Sequence, residues 1–558
     1  AARVVEELPR IAGRYQFTHA LTQETLAEEL TLTRRVRLHA RIAEALEALY
    51  GSSAEAHAAE LAHHFAEAQT VLGPEKLVRY SQLAGDRALA NYAHEEALSH
   101  FERGLAARGI PLSGQGPAKD EEAAVLLFGL GRAQAATFDR FQVDAAIDTL
   151  RRAFDYYAEV GDGDRAVAIA QYPVGGSSGT LASAARLVVR ALDLVPPDSH
   201  AAGRLLSQYG YCYGYILGME QDDYARALEA FRQALAIARR EGDVAMEAGT
   251  LANAAYVDNH QFRHAEGLEK SLRAIELARR IEDPRTEVAA RCWACEALAV
   301  TGNLEGARQH AAAALPLAER LRDRYWLGRT LHQTAVLACL EGDWEAGRDF
   351  NDRAMGVSPQ GPFAVTRALL EYEVGDFTQG EAYLEQLLEP MHLIPFLIPP
   401  GHYLLYAAAA VSIPLVARIT GIADRSSVAE RAAGAVLASP YGDPYLAVWA
   451  RVGLALLAVQ GGDGAAAGEQ YTALERAQGN MLAPHVIAVD RLLGLLAQTM
   501  GNMDKAAEHF EEALAFCRKA GYRPELAWTC CDYADMLLNP VGAGLKPAPT
   551  PGDRAKAM

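Results

Sequence analysis

The chain has 558 residues, of which 50% are hydrophobic and 22% charged, and its formal net charge is −18. This apolar content can build a large core and excludes wholesale disorder, while the acidity excludes nucleic-acid binding through overall charge. Seven scattered cysteines, an odd number, argue against a disulfide framework and favour a reducing, cytoplasmic compartment. Residue 1 is alanine and no signal peptide follows it, so we expect the chain to be part of a larger protein.

The first 70 residues form a segment without the periodicity of the rest of the chain. Residues 13–30 predict a short extended piece that runs into a helix. Arg34–Tyr50 predicts a second helix with apolar residues along one side, and Ala54–Ala68 predicts a third. This stretch resembles the join between the winged-helix end of bacterial signal-transduction ATPases and their repeat arm.

One histidine in this segment is a candidate nucleotide sensor. Phe17–Leu21 resembles the Met-His-Asp-like motif of related ATPases, whose histidine can contact the β-phosphate of bound ADP, although Ala20 stands where the motif has aspartate. The resemblance implies that His19 reports the nucleotide state. The alternative is a histidine that caps or packs against a helix.

A group of histidines follows in the third helix. His57 and Glu60 share a helical face, and His63 and His64 come one turn later. The spacing lacks an HExxH motif and a third placed ligand, so we do not predict a metal site there.

Residues 71–540 form an array with a period of about 40 residues. Turns of glycine followed by aspartate or asparagine precede helices that carry small and large apolar residues at 3–4 spacing. The positions that recur at steps of 40 are Ala234, Ala274, Ala314 and Ala354; Ala227, Gly267, Ala307 and Gly347; and Asp243, Asp283 and Asp323. One pair of helices cannot bury such a face alone, so the pairs are expected to stack.

This unit resembles the longer form of the tetratricopeptide repeat found in bacterial regulators. The matching residues in the best unit are Tyr224, Ala227, Phe231 and Ala234. The predicted fold is therefore all-α: a right-handed α-solenoid of tetratricopeptide-like helix pairs with an extended inner groove. The degenerate unit near residues 172–197 contains GGSSG, which we interpret as a loop.

Four tyrosines are the candidate partner-binding residues of the array. The helical i,i+4 pairs are Tyr209 with Tyr213, and Tyr211 with Tyr215. Rigid aromatic side chains of this kind stack on partners in the groove, or else they pack between helices.

Two other features resemble functional sites but favour a packing interpretation. Cys292 and Cys295 have the spacing of a redox pair, yet their register places them at small-residue positions of the repeat. The 28 residues between Glu389 and Arg418 carry no charged side chain, but prolines and histidines interrupt them. We interpret residues 403–417 as a buried repeat helix and predict no membrane span.

No catalytic motif stands out in the sequence. None of the seven lysines completes a phosphate-binding loop, and no GxSxG elbow is present. We therefore predict no enzyme activity and no cofactor for this chain. The Gly/Pro-rich residues 541–552 predict a flexible insertion, and residues 541–558 end with the start of another repeat.

The resemblance implies a function in signalling. It identifies the chain as the repeat arm of a bacterial signal-transduction ATPase or of a LuxR- or MalT-like transcriptional regulator. Such an arm is a sensor and scaffold that binds a protein or a small inducer in its groove, without direct nucleic-acid contact. The alternative is a free-standing tetratricopeptide adaptor.

Overall fold

The computed structural model describes most of the chain. The described residues are 5–7, 15–17, 29–138, 142–174, 178–216, 221–358, 363–393, 402–439, 444–482 and 487–538. His19 and the tail 541–558 lie outside them. The chain divides into two compact units, residues 1–133 and 134–558. The predicted boundaries at residues 70 and 540 stay predictions.

The first unit begins with a short antiparallel hairpin and continues as helices. Strands β1 (Val5–Glu7) and β2 (Tyr15–Phe17) pair with Val5 opposite Phe17, so the extended piece predicted near residue 15 is present. The predicted helix Ala54–Ala68 is instead a 3-10 turn, Gly51–His57, followed by an α-helix. The helices are α1 (Leu32–Tyr50), α2 (Ala58–Glu67), α3 (Gln69–Leu72), α4 (Glu75–Ala90), α5 (His94–Ala107) and α6 (Glu121–Thr137), whose last residues belong to the second unit.

The second unit is a succession of helices with one short hairpin near its end. Its first helices are α7 (Val143–Glu159), α8 (Gly163–Ala170), α9 (Ser178–Leu192), α10 (His200–Ile216), α11 (Gln221–Glu241), α12 (Val244–His260), α13 (His264–Arg280), α14 (Pro284–Val300), α15 (Leu304–Leu321), α16 (Arg324–Glu341) and α17 (Trp344–Val357). The remaining helices are α18 (Phe363–Val374), α19 (Phe377–Leu393), α20 (Tyr403–Thr420), α21 (Ser426–Leu437), α22 (Pro444–Gly461), α23 (Gly464–Leu474), α24 (Val489–Thr499), α25 (Met503–Ala520) and α26 (Arg523–Leu538). Strands β3 (Met481–Leu482) and β4 (Ile487–Ala488) pair between α23 and α24. The GGSSG loop was predicted wrongly in part, because α9 already begins at Ser178.

The 40-residue period has a direct structural cause. The recurring alanines Ala234, Ala274, Ala314 and Ala354 lie on the second helix of successive pairs and are at most 1% exposed. At the other recurring small position, a Cβ on Gly267 would lie 3.1 Å from the Ala255 carbonyl oxygen, so this site must stay small for the helices to pack. The predicted all-α array of stacked helix pairs is confirmed.

The recurring aspartates are helix N-caps. Asp243, Asp283 and Asp323 accept hydrogen bonds from backbone N–H groups in the first turns of α12, α14 and α16. The Gly-Asx turns work in the same way: Gly342 has a φ of 76°, and Asp343 accepts from the Ala346 N–H at 3.1 Å. A left-handed glycine ends one helix and an Asx side chain starts the next, so each turn sets the boundary of a helix.

The second unit contains contacts that a simple row of repeats does not provide. The Tyr522 hydroxyl donates to the Ala299 carbonyl at 2.5 Å, and Arg523 Nε donates to the Glu341 carbonyl at 2.8 Å. Trp528 Nε1 donates to Glu373 at 2.8 Å. Helix α26 and the turn before it therefore pack against α14, α16 and α18. The extended inner groove expected from the sequence stays a prediction.

Helix α26 also takes part in a buried ionic network. Arg491 Nε donates to Glu525 at 2.7 Å and Arg491 Nη1 donates to Asp532 at 3.0 Å. Arg418 forms a second ion pair with Asp532. Both guanidinium groups lie 5.7 Å from the Trp528 ring, within the range of cation–π attraction. Complete burial raises the pKa of Glu525 to about 7, although Arg491 opposes that shift.

Two helices of this unit, α20 and α22, are long and apolar enough to cross a membrane by length and composition alone. Their mean hydropathies are 1.5 and 1.2, and 67% and 72% of their residues are buried inside the protein. Helix α20 contains the segment 403–417, which is a buried helix as predicted and continues to Thr420. Buried helices of soluble proteins have this composition, so the two helices are weak indications of a membrane span.

His264, at the start of α13, makes stability depend on pH. It is buried, and neither ring nitrogen has a hydrogen-bond partner among the described residues. Burial lowers the pKa of His264 to about 4. The pKa of His264 is lower in the folded state than in the unfolded state, so His264 does not reduce the free energy of unfolding above pH 6.5. As the pH falls from 6.5 towards 4, the free energy of unfolding drops by about 1.4 kcal/mol per pH unit.

We therefore expect His264→Leu to flatten the loss of stability on acidification. The measurement is the free energy of unfolding in urea as a function of pH between the unfolded and folded pKa values. A variant whose stability falls as steeply as that of the wild type would contradict the burial of a neutral imidazole at this position.

Candidate pocket between helices α18 and α21

A cavity of about 400 Å³ lies where the end of α18, the start of α19, the end of α20 and the start of α21 meet. This volume is within the range of pockets that bind small molecules. Its walls are mostly apolar. The lining residues are Tyr372, Phe377, Glu381, Leu384, Ile413, Val416, Ala417, Thr420, Ile422, Asp424 and Arg425.

Two turns bring these helix ends together. Gly375, with a φ of 88°, ends α18, and Asp376 caps α19 by accepting from the Gln379 N–H at 3.1 Å. Gly421, with a φ of 76°, ends α20. A Cβ on Gly380 would lie 2.8 Å from the Tyr372 ring, so this glycine is what lets α18 and α19 approach closely.

A small polar set includes the lining residues Tyr372, Glu381 and Arg425. The Tyr372 hydroxyl donates to Glu381 at 2.6 Å, and Arg425 pairs with Glu381 and, at 2.5 Å, with Glu385. Burial alone would raise the pKa of Glu381, but the hydrogen bonds from Tyr372 and Arg425 outweigh burial and lower that pKa. Glu381 is therefore held as a carboxylate.

The pocket combines an acidic character with an apolar mouth. Glu381, Glu385 and Asp424 place three carboxylates around the single guanidinium of Arg425. At the mouth, Ile422 is 62% exposed and Phe377 is 43% exposed. Such a site attracts a ligand with an apolar body and a positive charge. Arg425 Nη1 is buried without a hydrogen-bond partner among the residues that the structure describes.

The predicted tyrosines lie elsewhere, on α10. The rings of Tyr209 and Tyr213 stack with centroids 4.2 Å apart, and both side chains are half-buried. Tyr211 is buried, and its ring centroid lies 5.2 Å from that of Tyr256 on α12. The side chain of Tyr215 lies outside the described part of the chain. The structure thus brings one predicted pair together and places Tyr211 in the interface between helices.

The histidines that the sequence places together near residue 60 lie in two groups. Tyr50 stacks on His57 at 3.7 Å and donates to Glu60, which lies 3.8 Å from His57. His63 and His64 instead lie beside His39, whose Nδ1 is 2.9 Å from Nδ1 of His64. Sequence spacing missed His39 because it belongs to a different helix.

The two cysteines at redox spacing are packing residues. Cys292 and Cys295 are buried and free, and Cys292 Sγ lies 3.5 Å from the Thr330 hydroxyl. Burial raises the pKa of Cys292 to about 11. A thiol held protonated in this way is a poor nucleophile and a poor metal ligand.

The comparisons with known proteins show no family for this chain. No protein-family model and no curated protein matches the sequence. Among solved structures, a Rap protein complexed with competence and sporulation factor is 14% identical, with a TM-score of 0.42, over 64% of this chain and 96% of that one. Yeast Tom70 is 12% identical, with a TM-score of 0.36, over 84% and 98%.

A third similar structure is a signal transduction ATPase with numerous domains and a tetratricopeptide repeat sensor, from Pyrococcus horikoshii. It is 14% identical, with a TM-score of 0.32, over 80% of this chain and 73% of that one. At these scores the likenesses carry no argument about this chain. The helical-repeat fold rests on the chain's own helix pairs, their recurring small residues and their recurring caps.

Proposed function

We propose that this chain is a protein-interaction scaffold whose pocket between α18 and α21 binds a basic, apolar peptide segment of a partner. The observation that carries the proposal is the combination of exposed apolar residues at the mouth with three carboxylates around one arginine. The net charge of −18 favours the same kind of partner over long range.

The wider role we propose is that of the sensor arm of a signal-transduction ATPase or transcriptional regulator. The support is the resemblance of the amino-terminal segment and of the repeat unit to such regulators. In this role, partner binding stabilises one arrangement of the arm over another and so biases the switch. Tyr209 and Tyr213 offer a second, aromatic contact surface on α10.

The pocket is tested by introducing a positive charge at its mouth. Peptide arrays of basic–apolar, acidic–apolar and neutral sequences are probed with the purified chain, and the best peptide is titrated by fluorescence anisotropy. We expect Ile422→Lys to weaken binding by about tenfold or more, because it removes an apolar contact and repels a cationic ligand. Val160→Lys is the matched control, since Val160 is similarly exposed at 57%.

Equal binding by the two lysine variants would overturn the pocket assignment. Selective capture of acidic peptides would overturn the electrostatic argument.

The switch role is tested on the full-length gene product. We expect it to retain bound ADP after purification, which mass spectrometry of the denatured sample detects. A full-length protein that neither retains nor binds ADP would leave a free-standing adaptor as the function. The peptide result is independent of that outcome.

A further inference from the structure

Three potential metal ligands converge near the end of the second unit. Asp490 lies in the first turn of α24, while His509 and Glu512 lie three residues apart on one face of α25. One ligand atom from each side chain lies within 4.8 Å of the other two. The three residues belong to two consecutive helices, so an ion there would link these helices across the turn that joins them.

The distances do not fit hydrogen bonds. His509 Nδ1 lies 3.6 Å from Asp490 Oδ1 and 3.6 Å from Glu512 Oε2. A separation of 3.6 Å is too long for a hydrogen bond. Two ligand atoms that each bind one ion at about 2.0–2.2 Å in tetrahedral geometry are separated by roughly 3.3–3.6 Å.

Two of the ligand atoms are buried without partners. Asp490 is 3% exposed and His509 is 5% exposed. Asp490 Oδ1 and His509 Nδ1 lack hydrogen-bond partners among the described residues. Burying such atoms unsatisfied costs free energy, and a bound cation would remove that cost.

Each of the two buried ligand residues also has a hydrogen-bond partner at its other polar side-chain atom. Asp490 Oδ2 accepts from the Gly479 N–H at 2.8 Å, and His509 Nε2 lies 2.8 Å from the Tyr471 hydroxyl. The tautomer in which Nε2 carries the proton and donates to Tyr471 leaves the lone pair of Nδ1 available to a cation. Orientation of a metal-binding imidazole by a second hydrogen bond is usual in metal sites.

The structure assigns these residues a role that the repeat architecture alone does not require. We propose that Asp490 Oδ1, His509 Nδ1 and Glu512 Oε2 bind a divalent transition-metal ion of the Zn²⁺ type. One imidazole and two carboxylates suit this class of ion, and the two negative charges balance its charge. The same Glu512 Oε2 also accepts from Gln478 Nε2 at 2.7 Å, and the half-exposed side chain of Glu512 gives the ion a path from solvent.

The consequence of binding is a clamp between α24 and α25. Asp490 immediately precedes Arg491, whose guanidinium is held by Glu525 and Asp532 in the buried network. An ion at Asp490 would fix the start of α24 and therefore the backbone that carries Arg491. We expect the metal to stabilise the folded protein, since it binds the folded state preferentially.

The test is calorimetric titration with Zn²⁺ of the chelator-treated full chain. Every protein in the series carries His63→Ala, because the cluster of His39, His63 and His64 offers the same ion a second set of ligands. We expect one ion per chain with a dissociation constant of about 1 μM or tighter. Glu512→Gln is expected to weaken binding by at least about tenfold, and Tyr471→Phe by about tenfold.

Glu508→Gln is the matched control, since Glu508 is exposed one turn earlier on the same helix. It is expected to bind Zn²⁺ as the parent does, and circular dichroism checks that all variants fold. Absence of binding in the His63→Ala parent would overturn the proposal. Equal affinities of Glu512→Gln and Glu508→Gln would overturn it as well.

Discussion

Replacing Arg491 with methionine is expected to lower the free energy of unfolding by about 3–5 kcal/mol, the cost of leaving buried charges uncompensated. Arg491 is 3% exposed, and its guanidinium serves Glu525 and Asp532. Methionine fills a similar volume without charge, so the loss comes mainly from the two carboxylates rather than from a cavity. In the variant, Arg418 still pairs with Asp532. The loss of Arg491 therefore affects Glu525 more than Asp532.

The measurement is urea denaturation followed by circular dichroism. Arg232→Met is the control, because Arg232 and Glu229 form an exposed pair on α11. Solvent screens an exposed ion pair and leaves it little effect on stability, so this variant should be nearly as stable as the wild type. Similar losses in both variants would show that burial does not govern the contribution of Arg491.

The second large effect is expected from adding a single methyl group at Gly453. A Cβ at this position would lie 2.2 Å from the Ala410 carbonyl oxygen and 2.6 Å from its carbonyl carbon. These atoms belong to the backbone of α20, which cannot rotate away as a side chain can. We expect Gly453→Ala to cost about 3 kcal/mol or more, because α20 and α22 must separate along their buried interface.

Gly434→Ala distinguishes this clash from a general response of helical glycines. Gly434 lies within α21, and a Cβ there would meet nothing within 4 Å. Alanine at this position should stabilise the protein by about 0.5–1 kcal/mol through its higher helix propensity. Thermal unfolding of the two variants should therefore shift in opposite directions, and a shift of the same sign in both would contradict the close approach of α20 and α22.

The sequence predicts the helix pairs, their close contacts and their N-caps because the same residue types recur at a fixed step along the chain. Ala274, Gly267 and Asp283 recur at fixed steps since each occupies one environment: a helix contact, a close approach and an N-cap. The pattern also places Cys292 among packing residues, where the structure has it. Short-range signals of this kind need no knowledge of distant segments.

What the sequence does not predict depends on pairs far apart in the chain. Arg418 and Asp532 are 114 residues apart, and the period gives no reason to join them. The sequence does not predict the pocket for the same reason, since Phe377 and Ile422 line one pocket only through the packing of α19 and α20. Asp490 and His509 lie closer in sequence, but no familiar spacing marks them as ligands.

The return of α26 to earlier helices changes how the unit should respond to force and denaturant. In a row of repeats each pair contacts only its neighbours, so the ends unravel first and stability approximates a sum of local terms. Tyr522 and Arg523 bind backbone groups 223 and 182 residues earlier in the chain. These hydrogen bonds join the start of α26 to α14 and α16, which come much earlier in the unit. Opening the last helix therefore also exposes the faces of α14 and α16. The segment from α14 to α26 is therefore expected to unfold as one cooperative block instead of peeling away repeat by repeat.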